Sequence, residues 1–245
     1  MTNQDLVGGP LAGREVPGGS GAMFDAIARR YDLLNRLMTF GIDTRWRRRA
    51  IQLLAMQPGA RVLDLATGTG DLALAAARAI PDAHLVGVDP SAGMLAVGID
   101  KVRAAGLAQR IEMRQGDAQH LEFADASFDG VTMGFGIRNV PDRSQALREM
   151  RRVLRPGGRV VLLEASEPGP GLLGWGARVH LRVIVPRLGA LVGGAPEYRY
   201  LQESIANFPP PPVFADRMRE AGFTVETVQP LLFGVAHLYV GVAPA

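Results

Sequence analysis

The stretch from Val62 to Ala76, VLDLATGTGDLALAA, constrains the chain more than any other. Its apolar start has the length and branching of a buried strand, two glycines (Gly68 and Gly70) interrupt it, and the apolar residues then resume at helical spacing. A strand that enters a helix through a glycine loop leaves backbone N–H groups free at the helix N-terminus, beside the carboxyl end of the strand. That arrangement belongs to parallel sheets with helices on both faces, in which ligands bind above the carboxyl ends of the strands.

The rest of the chain repeats the unit. Strand-like runs fall at Arg61 to Ala66, His84 to Asp89, Ile111 to Gly116, Gly130 to Phe135 and Arg159 to Glu164. Helical patterns lie between them at Asp71 to Ala79, Ser91 to Ala105 and Arg143 to Leu154, and RPGG (Arg155 to Gly158) supplies a turn before the fifth strand. After Glu164 the alternation gives way to helices over Gly171 to Leu191, Glu197 to Asn207 and Val213 to Ala221, then two closing strands, Thr224 to Pro230 and Ala236 to Val242. The expected fold is α/β: one Rossmann-like domain over residues 23–245, with a seven-stranded, mostly parallel sheet and a helical lid insertion at about 170–207. Residues 1–22, rich in Gly and Pro, read as a disordered tail with neither signal-peptide nor helical character.

Composition narrows the classes. The chain has 245 residues, 47% hydrophobic, enough for one sizeable core. It lacks cysteine, and its four histidines are scattered, so no metal site is expected. The formal charge is +3 while the pI is about 9.8, because Lys101 is the single lysine and the remaining basic residues are arginines. The one basic run, RWRRRA at Arg45 to Ala50, reads as the solvated side of a helix, and no nucleic-acid partner is expected. The most apolar segment, Gly171 to Gly194, is broken by Arg178, Arg182, Pro186 and Arg187, which argues against a spanning helix. A cytoplasmic enzyme is the expected class.

Gly68, Gly70 and Ala73 satisfy a dinucleotide-loop spacing, with Asp89 placed 19 residues after Gly70 to hold ribose hydroxyls. Asp64 before the loop and Asp71 after it would repel a pyrophosphate. They suit the cationic sulfonium and ammonium of S-adenosylmethionine, with Asp71 read first as a helix N-cap. Asp117, at the end of the third strand, could accept from an adenine amino group while the Ala118 backbone lines the ring slot. A nicotinamide-dependent oxidoreductase is the competing reading, weakened by the acidic loop and by the lack of a Tyr-x-x-x-Lys pair.

The segments YDLLNRLMTFGIDTRW (Tyr31 to Trp46), VLDLATGTGDL, FGIRNVPD (Phe135 to Asp142), RVLRPGGRVVLLEAS (Arg152 to Ser166) and YRYLQESI (Tyr198 to Ile205) together resemble the ubiquinone and menaquinone C-methyltransferase family, a class I S-adenosylmethionine-dependent group. The resemblance runs from about Phe24 to the C-terminus. It implies C-methylation of a reduced prenylated quinone, a demethylmenaquinol before a benzoquinol, with cofactor contacts at Thr69, Asp89, Asp117, Ala118 and Gly134; the glycine loop itself adds Asp64, Gly68 and Gly70 to the expected cofactor contacts, and Tyr31 on the N-terminal helices would close over the methionine end. It also implies substrate contacts at Asn35 and Tyr200 and a catalytic Arg138 that holds a phenolate or orients a water; the structural alternative pairs Arg138 with Glu203. Three positions depart from the family pattern, which carries asparagine at Asp117, serine at Gly134 and histidine at Asp43. A homodimer, and a peripheral contact of the Gly171–Gly194 segment with a membrane surface, are the partner expectations.

Overall fold

The computed structural model describes residues 41–168 and 195–244 (backbone only for 195–199), together with Phe24, Asp25, Ala28, Asp32, Leu33, Arg36 and Thr39. In chain order the elements are α1 (Asp43–Leu54), β1 (Arg61–Leu65), α2 (Asp71–Ala79), β2 (His84–Asp89), α3 (Ala92–Ala104), β3 (Ile111–Gln115) and β4 (Phe128–Gly134). These are followed by α4 (Arg143–Val153), β5 (Leu154–Ala165), α5 (Ala195–Ala206), α6 (Pro211–Glu220), β6 (Thr224–Leu231) and β7 (Ala236–Val242). Short 3-10 turns lie at Ile137–Asn139 and Leu232–Gly234.

One seven-stranded sheet has the order β3-β2-β1-β4-β5-β7-β6. The first five strands pair in parallel and β7 runs antiparallel to both β5 and β6. The order reverses between β1 and β4, so the carboxyl ends of these two strands flank the crevice where a ligand fits. The central strands are buried on both faces and therefore read as continuous apolar runs; Val62, Leu63 and Leu65 of β1 have no exposed surface. On one face α1, α2 and α3 bury Trp46, Leu54, Leu72 and Leu95 against Val62, Val161 and Leu238. On the other, α4 and α6 bury Leu147, Met150, Phe214 and Met218 against Leu63, Val131 and Tyr239.

Several local expectations changed. RPGG does not precede the strand but bulges out of it: Phe128 pairs with Leu154 and Gly130 with Arg159, so Arg155 to Gly158 loop away from β4. Gly157 supplies the left-handed turn this needs (φ +77°). Asp71 is not an N-cap; Gly70 holds that position and Asp71 pairs with Lys101 from the first turn of α2. The basic run is solvated only in part, since Arg45, Arg48 and Arg49 are exposed while Arg47 is buried against Asp43. Of the lid insertion, Gly171 to Gly194 lies outside the described residues, as do residues 1–22.

Candidate active site

The glycine loop is built by backbone bonds and two left-handed glycines. Thr67 N donates to Val88 O (3.1 Å) and Gly70 N to Thr67 O (2.9 Å), while Gly68 and Gly70 have φ of +55° and +79°. Helix α3 presses against the loop: a Cβ on Gly98 would stand 2.5 Å from Met113 Cε and 3.2 Å from the carbonyl carbon of Thr69. Two non-glycine residues are also held in the left-handed region, Ala66 after β1 (φ +47°) and Phe135 after β4 (φ +58°). Both line the same cleft, and backbone strain of this kind persists where the surroundings fix it, commonly at ligand sites.

That cleft, with the open solvent at its mouth, spans about 750 Å³ above the carboxyl ends of β1, β2 and β4. Five of the expected residues line it: Gly68, Asp89, Asp117, Ala118 and Gly134. Asp89 organises it, because Gly68 N donates to its Oδ2 (2.8 Å) and Ser91 N to its Oδ1 (2.9 Å), tying the first loop to the start of α3. Each of its oxygens keeps a second lone pair for a ligand hydroxyl. Asp117 Oδ1 accepts from Gln119 N (2.9 Å), and its carboxylate also receives the Gln119 side-chain amide.

Asp64, Thr69 and Gly70 do not line the cleft but lie beneath it. Asp64 accepts from the hydroxyls of Thr67 (2.6 Å) and Thr132 (2.7 Å), so it braces the loop against β4. Thr69 Oγ1 donates to Asp32 (2.6 Å) and receives Lys101 Nζ (3.1 Å). Burial pushes both Asp64 and Asp89 up from 3.8 to about 6, the loss of water outweighing their hydrogen bonds.

Arg138 is placed differently from its expectation. Its Nη1 donates to Glu164 Oε1 (2.5 Å) and to Phe135 O (2.6 Å), and its backbone N to Glu164 Oε2 (3.1 Å). Glu164, at the end of β5, is fully buried. The carboxylate partner is therefore Glu164 and not Glu203, which is exposed on α5. This clamp sets the path of residues 135–139 along the cleft rim, where Asn139 accepts from Tyr200 Oη (3.2 Å) on α5. Tyr31 and Asn35 fall outside the described residues. Asp43 is buried, accepts from Thr39 Oγ1 (2.9 Å) and pairs with Arg47, an ion pair within α1.

Sequence reasoning missed a set of contributors. Phe24, Met94, Gln119 and Asn139 also line the cleft. Asp25 receives Ser91 Oγ (2.5 Å) and Gly93 N (2.7 Å), and Asp32 receives Thr69 and Lys101 (2.7 Å), so two acids from the N-terminal segment latch it across the glycine loop. Their spacing of seven residues, two helical turns with Ala28 between, was the available signal.

Among solved structures, a SAM-dependent methyltransferase from Aquifex aeolicus is similar with a TM-score of 0.64 and 15% identity, covering 89% of this chain and 98% of that one. The [4+2]-cyclase SpnF is similar with a TM-score of 0.66 and 16% identity, covering 92% and 96%. These likenesses define the class of fold, the Rossmann-like sheet of S-adenosylmethionine-dependent methyltransferases; a cyclase on the same frame shows that the frame does not set the chemistry.

The chain belongs to the ubiE/COQ5 methyltransferase family, whose model matches residues 18–243, and it is a methyltransferase. A demethylmenaquinone methyltransferase of Thermus thermophilus is 48% identical over 91% of this chain and all of that one. The ubiquinone/menaquinone biosynthesis C-methyltransferase UbiE of Geobacter sulfurreducens is 46% identical over 89% and 86%. This membership removes the oxidoreductase reading. Among the described residues no group of His, Cys, Asp and Glu could hold a metal ion, and no helix is long and apolar enough to cross a membrane.

Proposed function

We propose that this methyltransferase moves the methyl group of S-adenosylmethionine to a ring carbon of a reduced prenylated quinone, with a demethylmenaquinol as acceptor. The observation that carries the donor half is Asp89, a buried carboxylate facing the cleft that accepts from two neutral backbone N–H groups, those of Gly68 and Ser91. Such a carboxylate fits paired ribose hydroxyls and a ligand of positive charge better than a pyrophosphate. The names borne by relatives at 48% and 46% identity support the acceptor half.

In this reading Asp89 holds the ribose, Asp117 and the Ala118 backbone hold the adenine, and Gly68 and Gly134 offer backbone where a side chain would crowd the ligand. Thr69 acts through its backbone, since its hydroxyl is committed to Asp32 and Lys101. Asp64 shapes the loop from below. Tyr31 and Asn35, which lie outside the described residues, are assigned from the sequence alone to the methionine end and the acceptor. The bound cofactor supplies an electrophilic methyl carbon on a sulfonium.

Methyl transfer to a ring carbon requires an acceptor whose phenolic oxygen has given up its proton, aligned with the donor; proximity supplies much of the rate. Arg138 positions residues 135–139, and with its charge already balanced by Glu164 it orients a water or a phenolic oxygen at the rim through that loop. Asn139 and Tyr200 border the acceptor side.

The test is methyl transfer to reduced demethylated naphthoquinones and benzoquinones bearing no, one or two isoprene units, with S-adenosylmethionine saturating. The naphthoquinol should be methylated, and one isoprene unit inside the slot should lower KM more than tenfold, given about 0.8 kcal/mol per buried methylene. Methylation confined to small non-quinone phenols would overturn the acceptor assignment and leave the methyltransferase intact.

A further inference from the structure

The β6–β7 hairpin ends in an exposed apolar tip at the same sheet edge as the cleft. Leu232 and Phe233 are 45% and 55% exposed. Both are held at left-handed φ, +40° and +57°, a conformation costly for residues with bulky side chains. The tip adjoins the carboxyl end of β5, since Ala236 pairs with Ala165 and Ser166 N donates to Val235 O (2.9 Å). A fold that spends strain and water-exposed apolar area on two adjacent side chains presents them to something.

The charge beside the tip says what. Helix α1 runs with its C-terminus at the far edge, where Arg159 reaches Leu53 O (3.0 Å), and its first turns at the cleft edge, where Trp46 and Arg47 pack on Phe135. Arg49 bonds Gln229 Oε1 of β6 (3.3 Å), three residues before Leu232. Arg45 stands one turn nearer the cleft edge than Arg49, about 6 Å along the helix, on the tip side of Gln229. Arg45, Arg48 and Arg49 are all exposed, and no ion pair among the described residues neutralises them. No acidic residue occurs from Thr44 to Gln57 or from Thr227 to Ala245, and Glu226 is taken by Arg159; the acid nearest the tip in the fold is Glu167, exposed next to Ser166 at the end of β5, against the three arginines on the α1 side.

We infer that Leu232 and Phe233 form an insertion tip, collared by Arg45, Arg48 and Arg49, that docks the cleft edge on an anionic lipid bilayer. An apolar tip enters the acyl boundary while arginines meet headgroup phosphates, and two such signals together give stable but reversible attachment. The surface rests on the proposed acceptor only for its purpose: a polyprenyl quinol dissolved in lipid would reach the cleft without crossing water. The residues involved are not those of the Gly171–Gly194 segment, which lies outside the described residues.

The experiment is co-sedimentation of the full chain with vesicles of phosphatidylcholine alone and of phosphatidylcholine mixed with phosphatidylglycerol. The full chain should bind the anionic vesicles, and less so as salt rises. The pair Leu232→Asn and Phe233→Asn, which suits left-handed φ, should lower the partition coefficient at least tenfold, and Arg45→Gln with Arg49→Gln by about tenfold on anionic vesicles only. Methylation of a tailless reduced quinone in solution should be unchanged in both variants. Absence of binding by the full chain, or full retention by the asparagine pair, overturns the proposal. So does self-association that the asparagine pair abolishes without vesicles, which would make the tip a contact with a second copy. Vesicle binding without quinol methylation would sink the proposed acceptor and leave the docking surface standing.

Discussion

Two sets of buried carboxylates sit at the carboxyl edge of the sheet, and they are handled in opposite ways. On the β1–β2 side, Asp64 and Asp89 receive hydrogen bonds from threonine hydroxyls and backbone N–H groups, all neutral. On the β4–β5 side, Glu164 receives the guanidinium of Arg138. Removing water from a carboxylate is expensive unless a cation replaces it. The charge of Glu164 is thus balanced within the protein, whereas Asp89 receives only neutral donors among the described residues. On the function proposed above, the Arg138–Glu164 side of the crevice is structural and Asp89 on the other side recognises the cofactor.

The largest effect should come from breaking the balanced side. Arg138→Ala leaves the buried Glu164 unpaired and should lower unfolding free energy by about 3–5 kcal/mol, read as a shift in the urea midpoint. The double replacement Arg138→Met with Glu164→Leu should recover much of that loss while turnover stays depressed. In the folded single variant kcat should fall by about a hundredfold, with S-adenosylmethionine affinity within a few-fold. Normal turnover in the stable double variant would reduce the clamp to packing alone.

Asp89→Ala should act the other way round. Loss of a charged acceptor for two ribose hydroxyls should cost about 2–4 kcal/mol of cofactor binding by calorimetry, beside a loss of stability from the Gly68 and Ser91 N–H groups it leaves without an acceptor. An unchanged affinity in a folded variant would remove Asp89 from the site and erase the contrast.

The contrast also has a pH signature. Asp64 and Asp89 titrate near 6 when folded and near 3.8 otherwise. Below about pH 4 both are protonated in either state and contribute nothing; above 6 the folded state carries two ionised buried groups. Their contribution to stability without ligand therefore falls as pH rises from 4 to 6. A cationic ligand against Asp89 favours its ionised form, so from that one group its affinity should weaken by about tenfold for each unit below 6. Asp89→Asn should flatten that dependence, and a profile of equal slope in the variant would place the titrating group elsewhere.

How much of this was legible follows from sequence distance. The loop and α2 are local, and VLDLATGTGDLALAA declares them through spacing alone; the helix spans Asp71–Ala79 as expected. That Asp89 lines the cleft beside the glycine loop was readable because it ends the next strand, one β-α-β step beyond that loop. The partner of Arg138 was not readable, since Glu164 is 26 residues away and meets it only because β4 and β5 are neighbours. Periodicity cannot separate Glu164 from Glu203; strand order does. The bulge at Arg155–Gly158 misled because RPGG has turn chemistry wherever it stands, and only pairing with β4 shows that the strand resumes.

The smallest expected effect concerns the acids that close the recognition side. Asp32 accepts from Thr69 and from Lys101, which also pairs with Asp71, and the three charged side chains are each about a quarter exposed. Pairs this wet contribute at most about 1 kcal/mol, so Asp32→Asn should barely move the unfolding midpoint. The same replacement loosens the segment that carries Phe24 over the cleft, and should raise the S-adenosylmethionine dissociation rate by a few-fold. Asp25 meets Ser91 and Gly93 two residues from Asp89, so Asp25→Asn should act in the same direction. Stopped-flow release of the cofactor from both variants measures this, and release as slow as in the unaltered chain would show that the latches hold only the fold.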